Sequence, residues 1–238
     1  MNLALHPKSA DVLLLPGLIC NEFVWHAQVS GIAGTNVAAV PGYGDARSLT
    51  VMAQGVLNAA PATFALAGHS MGARVALELY RLAPERVERL ALLDTGVHPE
   101  QPGERDKRMA LVELGRRQGM AALVESWLPP MVHPDRRDER SLMAPLREMC
   151  ISAGIEQFEN QVTALLERPD AQPMLAFINC PTLVAVGRQD TWSPVQQHEA
   201  IAAAIPGAEL VIFEDSGHMA PVEVPSQVNR ALRAWLAR

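Results

Sequence analysis

The sequence predicts an α/β fold, with a mostly parallel sheet, helices on both of its faces and one inserted helical segment. Short apolar runs of strand character alternate with amphipathic runs of helix character, a pattern typical of parallel sheets. The alternation stops over residues 98–179, where the chain is methionine-rich and helix-like. With 238 residues, 49% of them hydrophobic, the chain can bury one core of this kind but not a second full domain.

Six strands are predicted, each an apolar run bounded by turn-forming residues. Near-continuous apolar strands are typical of sheets that are covered on both faces. In chain order they are Val12 to Leu15, Asn36 to Val40, Thr63 to Ala67, Val87 to Leu93, Thr182 to Val186 and Glu209 to Phe213. One additional edge strand is predicted at Asn2 to Leu5.

Five helices of the sheet layers are predicted from apolar residues that recur every three or four positions. They follow the predicted strands, except that the inserted segment follows Val87 to Leu93. In chain order they are Glu22 to Ile32, Thr50 to Asn58, Met71 to Ala83, Pro194 to Ala204 and Ser226 to Leu236.

The inserted segment, residues 98–179, divides the predicted core into two parts, residues 1–97 and 180–238. No strand-like run occurs within it. Its predicted helices are Met120 to Leu128, Arg140 to Ile151 and Ile155 to Glu167. The first of them ends at Pro129-Pro130, because proline cannot continue a helix.

A candidate nucleophile lies between the third strand and the helix that follows it. The run Gly68 to Gly72 reads Gly-His-Ser-Met-Gly. A serine on such a strand-to-helix turn has a strained backbone, and the glycines prevent clashes with the neighbouring chain. Ser70 is therefore the predicted nucleophile.

An acid and a base follow Ser70 along the chain. Asp190 comes just after the apolar run Pro181 to Val186, and His218 lies in the loop between the last strand and the last helix. Asp94 also follows a strand, so it is a rival acid. The pattern predicts His218 as the general base.

Ester hydrolysis also needs hydrogen-bond donors for the negatively charged oxygen of the intermediate. The first strand runs into Pro16-Gly17-Leu18, a tight turn, and Met71 begins the helix after Ser70. The backbone N–H groups of Leu18 and Met71 are the predicted oxyanion hole.

These motifs together resemble the α/β-hydrolase superfamily over essentially the whole chain, and most closely its small, single-domain carboxylesterases. The order serine, acid, histidine is the order of that superfamily. The resemblance implies a triad of Ser70, Asp190 and His218, and it favours Asp190 over Asp94 because the acid more commonly follows the later strand. The chain departs from the family at Pro16, where the oxyanion turn usually carries histidine.

The resemblance identifies residues 98–179 as a cap over the nucleophile. The candidate lining of its substrate pocket is Trp127, Met131, Met143, Met149 and Phe158. Because the cap supplies apolar side chains and no cluster of cations is evident in it, we expect esters of short to medium apolar acyl groups as substrates. The implied chemistry is two-step acyl transfer through an acyl-enzyme, with no metal or organic cofactor.

Three other interpretations stay open. Hydrolases of enol lactones and of carbon–carbon bonds in aromatic catabolism share these motifs, although the carbon–carbon enzymes are expected to carry an arginine in the cap and a tryptophan directly after the catalytic histidine, where this chain has Met219. A protein of another class, a non-catalytic ligand-binding protein, could use the same scaffold. Such proteins usually lack a member of the triad.

Composition excludes several other classes. A net charge of −6 gives no electrostatic reason to bind nucleic acid or an anionic membrane, and no apolar run reaches transmembrane length.

Three distant cysteines, an odd number, predict small buried side chains rather than disulfides or a zinc site. Four histidines without companions at metal-ligand spacing are predicted to be surface or capping residues: His26, His98, His133 and His198. A cytoplasmic location is expected, and the oligomeric state is left open.

Overall fold

A six-stranded parallel sheet forms the centre of the molecule, in a computed structural model that describes residues 11–32 and 35–238. The strand order is β2-β1-β3-β4-β5-β6, and every neighbouring pair is parallel. The fold class and all six strands predicted above are confirmed, while the predicted edge strand Asn2 to Leu5 lies outside the described residues. The strands are β1 (Val12–Leu15), β2 (Val37–Ala39), β3 (Phe64–His69), β4 (Val87–Leu93), β5 (Thr182–Gly187) and β6 (Glu209–Phe213).

The helices that pack on the sheet agree with the sequence within a few residues. The first predicted helix begins as a 3-10 turn, Glu22–Trp25, because the Asn21 side chain caps it by accepting from the N–H of Phe23. The short helix α8 was not predicted. The helices are α1 (His26–Gly31), α2 (Leu49–Ala59), α3 (Met71–Leu82), α7 (Val195–Ala204), α8 (Ala220–Glu223) and α9 (Pro225–Leu236).

The strand order reverses between β1 and β3. Because strand–helix–strand connections are right-handed, this reversal places α1 on the opposite face of the sheet from α2 and α3. In agreement, α1 packs against α9, whereas α2 packs against α3. The carboxyl ends of β1 and β3 therefore open onto a crevice, which is where parallel sheets of this kind bind ligands.

The chain between β4 and β5 is helical, and it contains no strand among the residues that the structure describes. Its helices are α4 (Glu104–Trp127), α5 (Arg140–Ser152) and α6 (Gly154–Leu166). At Gly119 the backbone leaves the helical region, with φ 84° and ψ 168°, so α4 is two helices joined at a sharp bend. Helix α4 packs against both α5 and α6. The division of the chain into a core and a cap stays a prediction.

The three cysteines are free thiols. Cys20 and Cys150 are buried and Cys180 is half-buried. Burial raises the pKa of Cys20 to about 12, so this thiol beside the Pro16-Gly17-Leu18 turn is not reactive at neutral pH. Across the described residues, no helix combines the length and apolar character needed to span a membrane.

Candidate active site

Ser70 occupies a strained turn between β3 and α3. Its backbone has φ 54° and ψ −118°, a conformation that a residue with a side chain rarely adopts. The turn is possible because glycines flank it. A Cβ at Gly68 would lie 2.4 Å from the carbonyl oxygen of Gly72, and a Cβ at Gly72 would lie 2.3 Å from that of Leu15. The spacing of the motif therefore reflects two close backbone approaches, which leave the Ser70 side chain half-buried at the end of the sheet.

A continuous hydrogen-bonded chain joins Ser70 to the two downstream residues. His218 Nε2 lies 2.8 Å from Ser70 Oγ, and His218 Nδ1 lies 2.7 Å from Asp190 Oδ2. Since Asp190 can only accept when ionised, Nδ1 carries the proton and Nε2 is free to accept the proton of Ser70. The structure thus brings together the three side chains predicted from sequence, in the geometry of a serine nucleophile and its base.

The environment of Asp190 favours the ionised carboxylate. Its Oδ1 atom accepts hydrogen bonds from the N–H groups of Trp192 (2.8 Å) and Ser193 (2.9 Å). Burial raises the pKa of Asp190, but the interaction with His218 and these two N–H donors outweigh it, and the net pKa is below its ordinary value. A negative charge is thereby held against the imidazole.

Asp94, the rival acid, makes no hydrogen bond to His218 within the described residues. Its Oδ1 atom accepts from the N–H of Gly187 at 2.9 Å. Burial, reinforced by the negative charge of Asp190, raises the pKa of Asp94 well above its ordinary value. The geometry therefore favours Asp190 as the partner of His218.

Sequence reasoning missed Glu223, which fixes the loop that carries His218. This buried carboxylate on α8 accepts from the N–H groups of Gly217 (3.0 Å) and Met219 (3.1 Å) on one oxygen, and from His133 (2.8 Å) on the other. The N–H of His218 itself donates to the carbonyl of Met131 at 2.7 Å. The backbone on both sides of the imidazole is thus anchored. The local sequence after His218 held no signal for this role beyond an acidic residue in a short loop.

His69, inside the nucleophile motif, holds the same loop from the other side. Its Nε2–H donates to the carbonyl oxygen of His218 at 2.7 Å. Burial, and then repulsion by His218, lowers the pKa of His69 to about 3, so the ring is neutral and serves as a fixed donor. This contact joins the end of β3 to the loop between β6 and α8.

The predicted oxyanion donors lie on either side of Ser70. Leu18 and Met71 are buried and both line the cavity at Ser70. Within the described residues neither backbone N–H donates to another group. The turn before Leu18 is held without the usual histidine, because Tyr43 Oη donates to the carbonyl of Pro16 at 2.9 Å and Ile19 N–H donates to Gln161 Oε1 of α6 at 2.7 Å.

A cavity of about 360 Å³ opens above Ser70. Three of the five predicted pocket residues, Trp127, Met131 and Phe158, line it together with Leu18. Met143 and Met149 do not. Both are buried on α5, which packs against α4, so they stabilise the helical segment instead of contacting the cavity.

The cavity also has charged lining residues, and this corrects the expectation that no cluster of cations faces the site. Arg74 of α3, Arg108 of α4 and Arg168, which follows α6, all line it together with Glu104. No local sequence pattern indicates the cluster, because its members come from separate parts of the chain and meet only when it is folded.

His198 also differs from the prediction, since it is fully buried instead of lying at the surface. Its Nε2 accepts from the N–H of Thr95 at 2.9 Å. Burial lowers the pKa of His198 to about 4. His133 does act as a cap, accepting from the N–H of Asp135. Among the described residues, no three histidine, cysteine, aspartate or glutamate side chains are grouped so that they could hold a metal ion.

The comparisons with known proteins agree with this geometry. Residues 12–231 match the model of the alpha/beta hydrolase family. The chain belongs to the alpha/beta hydrolase family. A solved structure of a thermophilic esterase from Thermogutta terrifontis, with malate bound, superposes with a TM-score of 0.85 at 29% identity, covering 97% of this chain and 90% of the esterase.

Curated relatives also span the family's hydrolases. The chain is 29% identical over 196 residues to the AB hydrolase superfamily protein YclE of Bacillus subtilis, covering 71% of this chain and 66% of that protein, slightly less than two thirds of its length. It is 24% identical over 240 residues to a pimeloyl-[acyl-carrier protein] methyl ester esterase of Nitrosomonas europaea, covering 91% and 92%. These similarities support hydrolase activity and leave the substrate open.

Proposed function

We propose that this hydrolase cleaves carboxylic esters through an acyl-enzyme intermediate on Ser70. The observation that carries the proposal is the continuous chain from Ser70 through His218 to Asp190 at the floor of the cavity. A serine hydroxyl alone is a weak nucleophile at neutral pH, and an adjacent base held in the correct tautomer is what activates it. Because serine, histidine and aspartate are all present at these three positions, they argue against the alternative of a non-catalytic ligand-binding protein.

In the acylation step, the oxygen of Ser70 attacks the ester carbonyl while His218 Nε2 takes its proton. The negative charge that develops on the carbonyl oxygen is stabilised by the N–H groups of Leu18 and Met71, each donor contributing about a hundredfold to a thousandfold in rate. The intermediate collapses, His218 protonates the leaving alkoxide, and the alcohol departs. Asp190 stabilises the imidazolium throughout.

In the deacylation step, water takes the place of the alcohol. His218 removes a proton from the water as it attacks the acyl carbonyl, and then returns a proton to the oxygen of Ser70, which releases the acid. The wall formed by Leu18, Trp127, Met131 and Phe158 is suited to the hydrocarbon part of a short to medium acyl group. Each methylene buried there adds up to about 0.8 kcal/mol of binding.

Replacement of the nucleophile tests the proposal. Ser70→Ala is expected to lower kcat for ester hydrolysis by about a millionfold, by analogy with other serine hydrolases, because no nucleophile remains in the turn. Ser30→Ala, at an exposed serine on α1, serves as the control and is expected to leave kcat unchanged. Activity is measured on a panel of alkyl and aryl esters, lactones and thioesters, with circular dichroism to verify folding.

Each other outcome has a definite meaning. Turnover restricted to lactones would replace the ester proposal with the enol-lactone alternative. Wild-type activity in a folded Ser70→Ala variant would move the nucleophile elsewhere. Absence of any turnover across the panel would favour the ligand-binding protein.

A further inference from the structure

Three arginines and Glu104 lie close together in the lining of the cavity at Ser70. Arg74, Arg108 and Arg168 line the same space as Ser70, and Glu104 is the carboxylate that they face among the described residues. The exposed Lys107 lines the cavity as well, so the positive charges outnumber the negative charge of Glu104. The excess lies inside a half-enclosed cavity, where water screens charge less than at the open surface.

The hydrogen-bonding capacity of Arg168 is used within the protein. Its two terminal nitrogens donate to the carboxylate oxygens of Glu104 at 2.8 and 2.6 Å, and its Nε donates to the carbonyl of His98 at 3.0 Å. A further bond reaches the carbonyl of Pro99 at 2.8 Å. With a side chain only 1% exposed, Arg168 fixes Glu104 and the turn at residues 98–99 and has little left for a ligand.

Arg74 and Arg108, in contrast, keep unused donors. Arg108 donates through Nε to Glu104 at 2.8 Å, and Arg74 donates through Nη1 to the carbonyl of His98 at 3.0 Å. In the part of the chain that the structure describes, Arg74 Nε and Nη2 and both terminal nitrogens of Arg108 have no hydrogen-bond partner. Arg168 and Arg108 share the single negative charge of Glu104, so the three guanidinium groups keep an excess of positive charge, and Arg74 has no carboxylate partner of its own among the described residues.

Burial, together with repulsion by the other two arginines, lowers the pKa of Arg74 to about 9, which still leaves it charged at neutral pH. A partly buried charge without a counterion is unfavourable. An anion bound between Arg74 and Arg108 would relieve that penalty.

The position of Arg74 relates this cation pair to the nucleophile. Arg74 follows Ser70 by four residues, so it lies one turn along α3 on the same face. A Cβ at Gly96 would lie 3.0 Å from Arg74 Nη2 and 3.1 Å from His98 Nε2. Because Gly96 has no side chain, the corner in front of the Arg74 guanidinium stays open to the cavity.

We propose that the substrate is an ester that carries a carboxylate, and that Arg74 and Arg108 bind this carboxylate while Ser70 attacks the ester carbonyl. A guanidinium matches a carboxylate in shape and charge and can bind it through two parallel hydrogen bonds. This inference rests on the proposed ester hydrolysis and specifies its substrate class. The same chemistry is available with the carboxylate on the acyl side or on the alcohol side of the ester.

Paired substrates test the proposal. The first series contains monoethyl esters of succinate, glutarate and adipate, each compared with the ester whose free carboxylate is replaced by a primary amide. The second contains 4-acetoxybutanoate and 4-acetoxybutanamide, which place the group on the alcohol side. The measured quantity is the ratio of kcat/KM for the carboxylate to kcat/KM for the amide, which cancels general effects of a variant on catalysis.

In the wild-type enzyme we expect a ratio well above one in at least one series. Arg74→Gln and Arg108→Gln are each expected to lower that ratio by about tenfold to a hundredfold, the usual effect of losing a charge-assisted hydrogen bond. Arg74→Lys should give an intermediate ratio, because the charge stays but the paired geometry is lost. Arg117→Gln, at an exposed residue on α4 that pairs with Glu113, is the matched control and should keep the wild-type ratio.

A binding measurement on an inactive variant tests the carboxylate site independently of the proposed ester hydrolysis. Calorimetry on Ser70→Ala should detect binding of adipate, with an affinity about tenfold to a hundredfold weaker when Arg74→Gln is added. If the wild-type enzyme hydrolyses none of the esters while Ser70→Ala binds adipate in this manner, the ester proposal fails and the carboxylate site stands. If amide and carboxylate esters react equally well in both series, or if the ratio survives both arginine replacements, the carboxylate site is overturned and ester hydrolysis stands.

Discussion

At the scale of single residues, two carboxylates at the ends of neighbouring strands have opposite properties. Asp190 accepts two backbone N–H bonds and faces the His218 imidazole, so its pKa falls below the ordinary value. Asp94 is completely buried, accepts one backbone N–H and has a raised pKa. Both carboxylates follow a strand, so this position does not distinguish them. Their surroundings do: Asp190 can orient and stabilise an imidazolium, and Asp94 cannot.

This difference predicts unequal effects of matched substitutions. Asp190→Asn is expected to lower kcat about ten-thousandfold, because an amide cannot hold His218 in the required tautomer. Asp94→Asn should act mainly on stability, since its side chain does not contact His218. Steady-state kinetics and urea unfolding of both variants measure the two effects. The reverse ranking in kcat would require a triad built around Asp94.

The three side chains of the hydrogen-bonded chain from Ser70 through His218 to Asp190 could be singled out from the sequence, whereas the cation cluster could not. Ser70 lies in a short motif with defined context, and Asp190 and His218 follow it after apolar strands in a recognisable order. The contact between Arg168 and Glu104, by comparison, joins residues 64 positions apart. Arg74 lies on an amphipathic helix, where a charged residue is the normal occupant of the solvent-facing side. No local pattern signals that such side chains converge on one cavity.

At the scale of elements, strands were easier to predict than the helices of residues 98–179. Each strand is an apolar run ended by a turn, and β1, β4 and β6 have the predicted bounds. The first half of α4, from Glu104 to the bend at Gly119, was missed because half of its residues are charged and it carries no clear apolar stripe with helical period. The second half, which has buried residues at Leu123, Val124 and Trp127, was found.

Helix α8 gives a prediction about an element that positions the base. Glu223→Gln replaces a carboxylate that accepts from three N–H groups with an amide whose nitrogen cannot accept. If the amide nitrogen takes the place of Oε1, the N–H groups of Gly217 and Met219 beside His218 lose their partner. If it takes the place of Oε2, the N–H of His133 loses its partner. We expect kcat to fall about tenfold with little change in KM, and the rate of labelling by a fluorophosphonate to fall in parallel. The exposed residue Glu214, replaced by glutamine, is the control. A stability loss with unchanged kcat would show that Glu223 does not position His218.

At the scale of the whole molecule, buried neutral histidines relate stability to pH. The native state holds His198 unprotonated down to a pKa of about 4, whereas in the unfolded chain it takes up a proton near the ordinary histidine pKa of 6.5. Between these values the unfolded state binds more protons, so the contribution of His198 to stability is lost as pH falls.

The stability difference between wild type and His198→Gln should therefore depend on pH. Glutamine can accept from the Thr95 N–H but has no proton to take up. As pH falls from 6.5 towards 4, the wild type should lose stability relative to the variant by up to about 1.4 kcal/mol per pH unit. Urea unfolding at pH 7 and pH 5 measures this change, with His26→Gln at an exposed position as the control. If the difference in unfolding free energy between wild type and His198→Gln is the same at both pH values, His198 is not a buried neutral histidine with a lowered pKa.

The central claim is that Ser70 is a nucleophile activated by His218, and covalent labelling tests it most directly. A fluorophosphonate reacts with a serine hydroxyl only when a base removes its proton and an oxyanion site receives the phosphoryl oxygen. Intact-mass spectrometry of the wild-type protein should show one equivalent of adduct, and peptide mapping should place it on Ser70. Ser70→Ala should stay unlabelled. A folded wild-type protein that takes up no label, or takes it up at another residue, would contradict the account.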